Sequence, residues 1–264
     1  QAQFSKYFLL FLPLVFIIVY ELYDAKDFSL NRLNKSSLGK LNKSEGGKYS
    51  DVWHYLIFIF WHKFETLLVF STLGTSILNK KLSSSFHLFY DTVIQIPKST
   101  LSVLVIFLLA FLLNDFLKYF NHRLQHRIPF LWDMHELHHS ATEMTILSAA
   151  RMTPLENLLS TPLFIPLTVL TGLLMSEFLK EGYIFPIYIY IFLKMVNNIN
   201  SKVGHSSLKV IYPKPLRYIF MSPASHWIHH SINPDHYDRN FGELFCFWDK
   251  LFGTYLSEEH IKDI

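Results

Sequence analysis

The chain is 264 residues long and half hydrophobic, with 24 basic against 21 acidic side chains. With charge this evenly balanced, and no basic face apart from the positions flanking apolar runs, a nucleic-acid binder is excluded. The single cysteine, Cys246, rules out an internal disulfide and thiolate metal sites.

The apolar residues come in blocks. Tyr7 to Tyr23 is nearly all Phe, Leu, Ile and Val, close to the roughly 20 residues a spanning helix needs, with Pro13 as a kink. Lacking the small-residue cleavage site of a signal peptide, this run is expected to be an anchor. Asp24 to Asp51 is polar and broken by Gly46-Gly47, and reads as a loop. Val52 to Leu78 is apolar again but carries His54, His62, Lys63 and Glu65, which push its outer part toward the interface. Asn79 to Lys98 is a mixed connection, and Thr100 to Phe120 is the clearest span, interrupted late by Asn114 and Asp115.

Asp133-Met-His-Glu136 has the form of an N-cap and capping acid, predicting a helix that starts there and bears His135, His138 and His139. Thr153-Pro-Leu-Glu156 repeats the signal, with proline at the first helical position, and opens a helix to Met175 that Pro162 and Pro166 bend. Tyr183 to Asn198 follows Gly182, so the two read as a hairpin of membrane helices. Ser222-Pro223 opens a short helix with His226, His229 and His230, stopped at Asn233-Pro234. The remainder, Asp235 to Ile264, reads as aqueous and mixed. The expected fold is all-α, an integral membrane bundle of about four to five spanning helices with a cytosolic histidine-rich helical cap. If the basic loop Lys26 to Lys48 is cytosolic, counting spans returns every histidine cluster to the cytosolic side.

Those clusters carry the chemistry. His122 and His126 are four apart, so one helix face presents both. His135-Glu-Leu-His-His139 and His226-Trp-Ile-His-His230 again have helical spacing. Packing does not need imidazole in such repeats, and solvated faces use Lys and Glu instead. Eight imidazoles are too many for one zinc or iron ion and suit two. His205, just after the last span, is the natural ninth, and one of Asn197, Asn198 and Asn200 could reach a metal-bound water. Asp115, Asp133, Glu143 and Asp249 are candidates to accept hydrogen bonds from ligand N–H groups, the ordinary alternative being a cap or a surface charge. His54, His62, His87, His236 and His260 are read as ordinary structural or surface residues.

In this order, with a tail running Asn233-Pro through Asp238-Arg-Asn-Phe-Gly242 to Phe247-Trp-Asp-Lys-Leu-Phe-Gly-Thr254, the pattern resembles the fatty acid hydroxylase and sterol desaturase superfamily. The ending is most similar to the alkylglycerol monooxygenase branch. The resemblance covers about Leu101 to Tyr255 and divides the chain into an N-terminal membrane anchor and spanning region, 1–99, and a hydroxylase-like catalytic region, 100–264. It implies a membrane di-iron oxygenase in which His122, His126, His135, His138, His139, His205, His226, His229 and His230 bind two Fe ions. The co-substrate would be O2, and the reaction hydroxylation or desaturation of an unactivated C–H in a fatty acyl, ether lipid or sterol. Electrons would come from a separate cytochrome b5-like or ferredoxin-like protein. Some members have one further histidine near Asn197 to Ser201; here that position is open to water or Asn.

Two rivals follow from the same residues. His135-Glu-Leu-His-His139 satisfies His-Glu-x-x-His, in which two histidines hold zinc and Glu136 would activate water in a membrane metalloprotease. A non-catalytic metal- or lipid-binding membrane protein is the other.

Overall fold

In a computed structural model, residues 51–60, 99–145 and 147–264 are described, with Val19, Ser84, Ser85 and Leu88 as isolated positions. The predicted span Tyr7 to Tyr23, the loop after it, most of Val52 to Leu78, and His62 and His87 lie outside the described residues. The described helices are α1 (Asp51–Phe60), α2 (Thr100–Arg127), α3 (Pro129–His139), α4 (Pro154–Lys180), α5 (Ile184–Gly204), α6 (Lys214–Arg217), α7 (Pro223–His229) and α8 (Phe247–Leu251). The fold is all-α; extended pairing among the described residues is limited to one antiparallel bridge, Phe220 with Phe245. Of these helices α2 and α4 are long and apolar enough to cross a membrane.

The organising element is α2. Ser99 caps it, its hydroxyl accepting from the Ser102 amide at 3.1 Å. Its 28 residues reach about 42 Å at 1.5 Å per residue, more than the ~30 Å of a hydrocarbon core. The helix therefore runs two turns past the predicted end at Phe120 and carries His122 and His126 beyond the apolar stretch. Its buried positions Val103, Phe107, Phe111, Asp115 and Tyr119 recur every fourth residue, so the stripe that packs the bundle continues straight into the two histidines. Leu101, Val105, Leu109 and Leu113 face outward, as lipid contact requires.

Two further helices close on that stripe. Thr153 caps α4, accepting from the Glu156 amide at 3.2 Å, with Pro154 at the first helical position as expected. The turn to α5 passes through Gly182 at φ 86°, a backbone angle that L side chains rarely adopt. Phe107 and Phe111 of α2 meet Phe178 of α4 and Tyr190 of α5, with edge-on geometry at 6.0 Å for Phe107–Phe178 and 6.4 Å for Phe111–Tyr190. The hairpin predicted at 155–175 and 183–198 is present, with α4 and α5 each extending further.

Three readings need correction. Helix α3 begins at Pro129, after Ile128, so Asp133 lies in mid-helix and caps nothing. Proline at the first turn supplied a stronger start than the Asp-x-x-Glu pattern. Helix α7 ends at His229, ahead of Asn233-Pro234, which instead opens a separate 3-10 turn. Finally, Asp235 to Ile264, read only as aqueous and mixed, is folded onto the helices, with Asn240 and Asp249 fully buried. Asn240 donates to the carbonyls of Ser225 and Leu256, at 3.0 and 2.9 Å, and accepts from the Leu256 amide at 2.8 Å, clamping α7 to the tail.

At the other edge, Asp51 at the start of α1 makes a buried ion pair with Arg151 Nε at 2.5 Å and also accepts from Thr145 and Ser148. Arg151 reaches on to Ser140 Oγ at 3.1 Å, just past the histidines of α3. Removing one partner leaves the other charge buried and unpaired, at about 3–5 kcal/mol. Asp51→Ala should therefore lower the thermal unfolding midpoint in detergent by several degrees. The exposed control Asp133→Ala should change stability by no more than about 0.5 kcal/mol; equal midpoints for the two variants would refute the clamp.

Candidate metal centre

Three helices and two helix C-caps bring the histidines together. His122 and His126 come from the last turns of α2, and His135, His138 and His139 from α3. His205 follows α5, while His226, His229 and His230 belong to α7 and its end. They sort into two groups. One is His122, His126, His135, His139 and His229; the other is His138, His205, His226 and His230; in each, the candidate ligand atoms lie within 4.8 Å of one another. Metal–imidazole bonds of about 2.0–2.1 Å put opposed ligands roughly 4 Å apart, so modest closure around an ion suffices. The groups adjoin, the His139 and His230 rings stacking at 4.3 Å. His236 stays outside both, its ring 5.9 Å from that of His260.

The outer nitrogens decide which atoms face inward. His122 Nδ1 lies 3.0 Å from the Phe241 carbonyl, His229 Nδ1 2.7 Å from that of Arg239, and His205 Nδ1 2.7 Å from that of Ser201. A carbonyl only accepts, so each of these Nδ1 atoms carries the proton and each Nε2 is a bare lone pair. His135 Nδ1 donates in the same way to Glu156 Oε1 at 2.7 Å. In the first group, Nε2 of His122, His126, His135, His139 and His229 is buried with no hydrogen-bond partner. In the second, His205 Nε2 sits 2.9 Å from Nε2 of both His138 and His226, and His226 Nε2 is 3.1 Å from that of His230. The bare Nε2 atoms of His122, His135, His205 and His229 thus converge with the other ring nitrogens where a cation could take their lone pairs; at His205 Nε2 a neighbouring Nε2–H can do the same when that neighbour adopts the matching tautomer. The residues fit a metal site.

Electrostatics keep the imidazoles ready to ligate. Burial lowers the pKa of His135 and His205 from the ordinary 6.5 to about 4. Burial, followed by the mutual repulsion of neighbouring imidazolium charges, holds His138, His139, His226, His229 and His230 well below that value too. All are neutral at physiological pH, as metal binding demands.

The acids and amides expected to support the imidazoles divide. Asp249 does so at one remove: it accepts from the amides of Phe241 and Gly242, at 2.8 and 2.7 Å, and from Thr254 Oγ1 at 2.7 Å, fixing the peptide whose carbonyl holds His122. A Cβ at Gly242 would lie 2.4 Å from the Phe245 carbonyl oxygen and 2.8 Å from Asp249 Oδ2, so only glycine fits. Asp115 bonds to Trp248 Nε1 at 2.9 Å and the Leu244 amide at 3.3 Å, tying α2 to the tail and not to an imidazole. Asn200 donates to the carbonyls of Met221 and Glu243 and accepts from Tyr212, again as scaffold. Asp133 and Glu143 are exposed. Helical phase explains Asp133, because turning His135 and His138 inward turns Asp133 and Glu136 outward. That exposure also removes Glu136 as a water-activating base; the motif's His135 and His139 do share a group, but that group holds three further imidazoles that the protease pattern does not use. The carboxylate that does meet an imidazole, Glu156, was visible in the sequence only as a capping acid.

The depressed imidazole pKa values set a pH dependence for metal-free protein. The unfolded chain takes up protons below about 6.5 that the folded cluster refuses, so stability present above pH 6.5 is lost as the pH falls toward 4. Chelator-treated protein should show an unfolding midpoint that drops between pH 7 and pH 5; a flat profile would mean the rings are not desolvated.

Comparison with known proteins agrees with this geometry. The chain is 30% identical over 147 residues to an alkylglycerol monooxygenase of Caenorhabditis elegans, covering 56% of this chain and 26% of that protein. It is 31% identical to the ornithine lipid hydroxylase OlsE of Rhizobium tropici (56% and 40%), and 26% identical to the methylsterol monooxygenase erg25B of Aspergillus fumigatus (58% and 48%). The match thus spans between about a quarter and a half of each relative's length. No solved structure matches the chain. The fatty acid hydroxylase family model matches residues 107–254, from the bundle-packing stripe of α2 through both histidine groups to the Thr254 that Asp249 holds. The chain belongs to the fatty acid hydroxylase family.

Proposed function

We propose that this chain is a membrane-bound di-iron oxygenase that hydroxylates or desaturates an unactivated C–H of a lipid, using O2 and electrons from a separate carrier protein. The observation that carries the reading is the set of inward imidazole nitrogens divided between two adjoining groups, four of them held proton-free at Nε2 by acceptors behind the ring. Neither group includes a carboxylate; the five nitrogens of the first exceed the tetrahedral set that closes a structural zinc site, the four of the second equal it, and both leave positions open on a six-coordinate ion. All nine histidines expected from the sequence serve as ligands in this reading. Two iron ions held there would supply O2 reduction and C–H oxidation. In balance, R–H, O2, two electrons and two protons give R–OH and water; desaturation gives an alkene and two waters.

The chain's own residues bind and orient. The Phe241, Arg239 and Ser201 carbonyls and Glu156 hold four rings in one tautomer, so Nε2 is the ligand atom. The buried tail covers His122 and His229 and excludes water. Outward leucines on α2 and α4 give a lipid chain access from the bilayer. Residues 100–264 form the catalytic region in this reading and residues 1–99 the anchor. The cytosolic side is supported by Arg123, Arg127, Lys202, Lys209, Lys214 and Arg217 around the cluster, whereas the opposite α4–α5 end carries a single base, Lys180, beside Glu177 and Glu181. No observation favours transport or passive binding.

Metal analysis of purified protein should find two irons per chain. His139→Ala and His230→Ala, one in each group, should each lower that content and abolish oxidation. Mass spectrometry of lipids from cells with and without the protein, under oxygen, should show a gain of one oxygen or a loss of two hydrogens on a defined lipid. Protein that holds iron yet leaves the lipid pool unchanged in the presence of a competent donor would overturn the reading.

A further inference from the structure

Behind His135, on the side away from the metal groups, α2, α3 and α4 enclose a cavity of about 210 Å³. Its polar floor is Asn121, Gln125, Glu156 and Ser160; its walls are apolar, Met134 and Leu163 among them. The two oxygens of Glu156 are not equivalent. Oε1 accepts from His135 Nδ1 at 2.7 Å and from Gln125 Nε2 at 2.9 Å. Oε2 is buried and has no partner. Asn121 Nδ2 donates to Ser160 Oγ at 3.2 Å, and no hydrogen bond joins either residue to Glu156 Oε2. A buried carboxylate oxygen left bare costs about 1–3 kcal/mol or more, so the cavity asks for a donor. Leu159, another wall residue, is 44% exposed on the outer flank of α4 beside Leu155 and Leu158, which gives the cavity an apolar approach from the bilayer side.

We propose that this cavity is a head-group subsite for a lipid with a free hydroxyl, whose O–H donates to Glu156 Oε2 while its first methylenes lie against the apolar walls. This rests on the reading of the chain as a lipid hydroxylase and narrows its substrate class. The volume is too small for a whole lipid and sufficient for its polar end. A hydroxyl suits the site better than an ammonium group. Stripping an ammonium of water costs several kcal/mol, and the other floor groups are neutral amides and a hydroxyl already paired. A hydroxyl is desolvated at far lower cost.

The test measures binding to chelator-treated full-length protein in detergent, with tritiated hexadecan-1-ol against unlabelled competitors. Hexadecan-1-ol should bind about tenfold tighter than 1-methoxyhexadecane, which has no proton to donate. In Glu156→Gln the remaining oxygen still serves Gln125 and His135 while an amide N–H replaces the bare acceptor, so the preference for the alcohol should vanish or reverse. Leu163→Trp, which fills the cavity without touching a histidine, should abolish alcohol binding with the unfolding midpoint retained. Equal affinity for alcohol and ether in the unaltered protein overturns the proposal, as does an alcohol preference that survives Glu156→Gln or tighter binding of hexadecylamine. Should the discrimination hold while the iron-loaded protein oxidises no lipid, the subsite stands and the oxygenase reading falls.

Discussion

A cluster of bare imidazole nitrogens, buried and turned toward one another, is the condition that the rest of this molecule satisfies. In the group of five, each such atom forgoes the water it would bond in the unfolded chain, and no donor in the fold replaces it. What holds the arrangement against rearrangement is the back of four rings, those of His122, His135, His205 and His229. Main-chain carbonyls and one carboxylate take the Nδ1 protons, so these rings cannot rotate without breaking a hydrogen bond. Selection of tautomer and selection of ligand atom are the same event here.

Two structural solutions make this possible beside a membrane. The first is continuity: the stripe of α2 that packs Phe107 and Phe111 against α4 and α5 runs on, in phase, to His122 and His126, so bundle packing sets the height and rotation of both rings. The second is closure by the tail. Asp249 gathers two amides and a threonine hydroxyl, Asn240 ties the tail to α7, and Asp115 reaches from the long helix to Trp248. Lys118 pairs with Glu243 across the same seam. Buried polar groups fasten the cover over the histidines together with aromatic contacts such as Phe116–Trp248 and Tyr119–Phe252.

Much of this was legible in the sequence. Histidines three and four apart are readable because helical geometry alone puts them on one face, and the caps at Thr153 and Ser222 are readable because capping is local. What escaped depends on partners distant in the chain. Glu156 looks like any capping acid until α3 folds back to place His135 beside it, and nothing near Asp51 announces Arg151, a hundred positions away. Asp133 misled for the complementary reason: its capping pattern was locally sound, but Pro129 had already begun the helix. The tail read as aqueous because its polar residues pair with one another out of sight of water.

The Asn240 clamp also has a consequence for how the protein is made. All nine cluster histidines have been synthesised by position 230, yet the residues that fix His122 and join α7 to the tail lie between 239 and 256. A ribosome-bound chain would hold every coordinating side chain while lacking the cover that orients them. On the reading of these histidines as ligands, metal acquisition would follow the synthesis and folding of residues 239–256, leaving an interval in which uncovered histidines must be kept from binding the wrong ion.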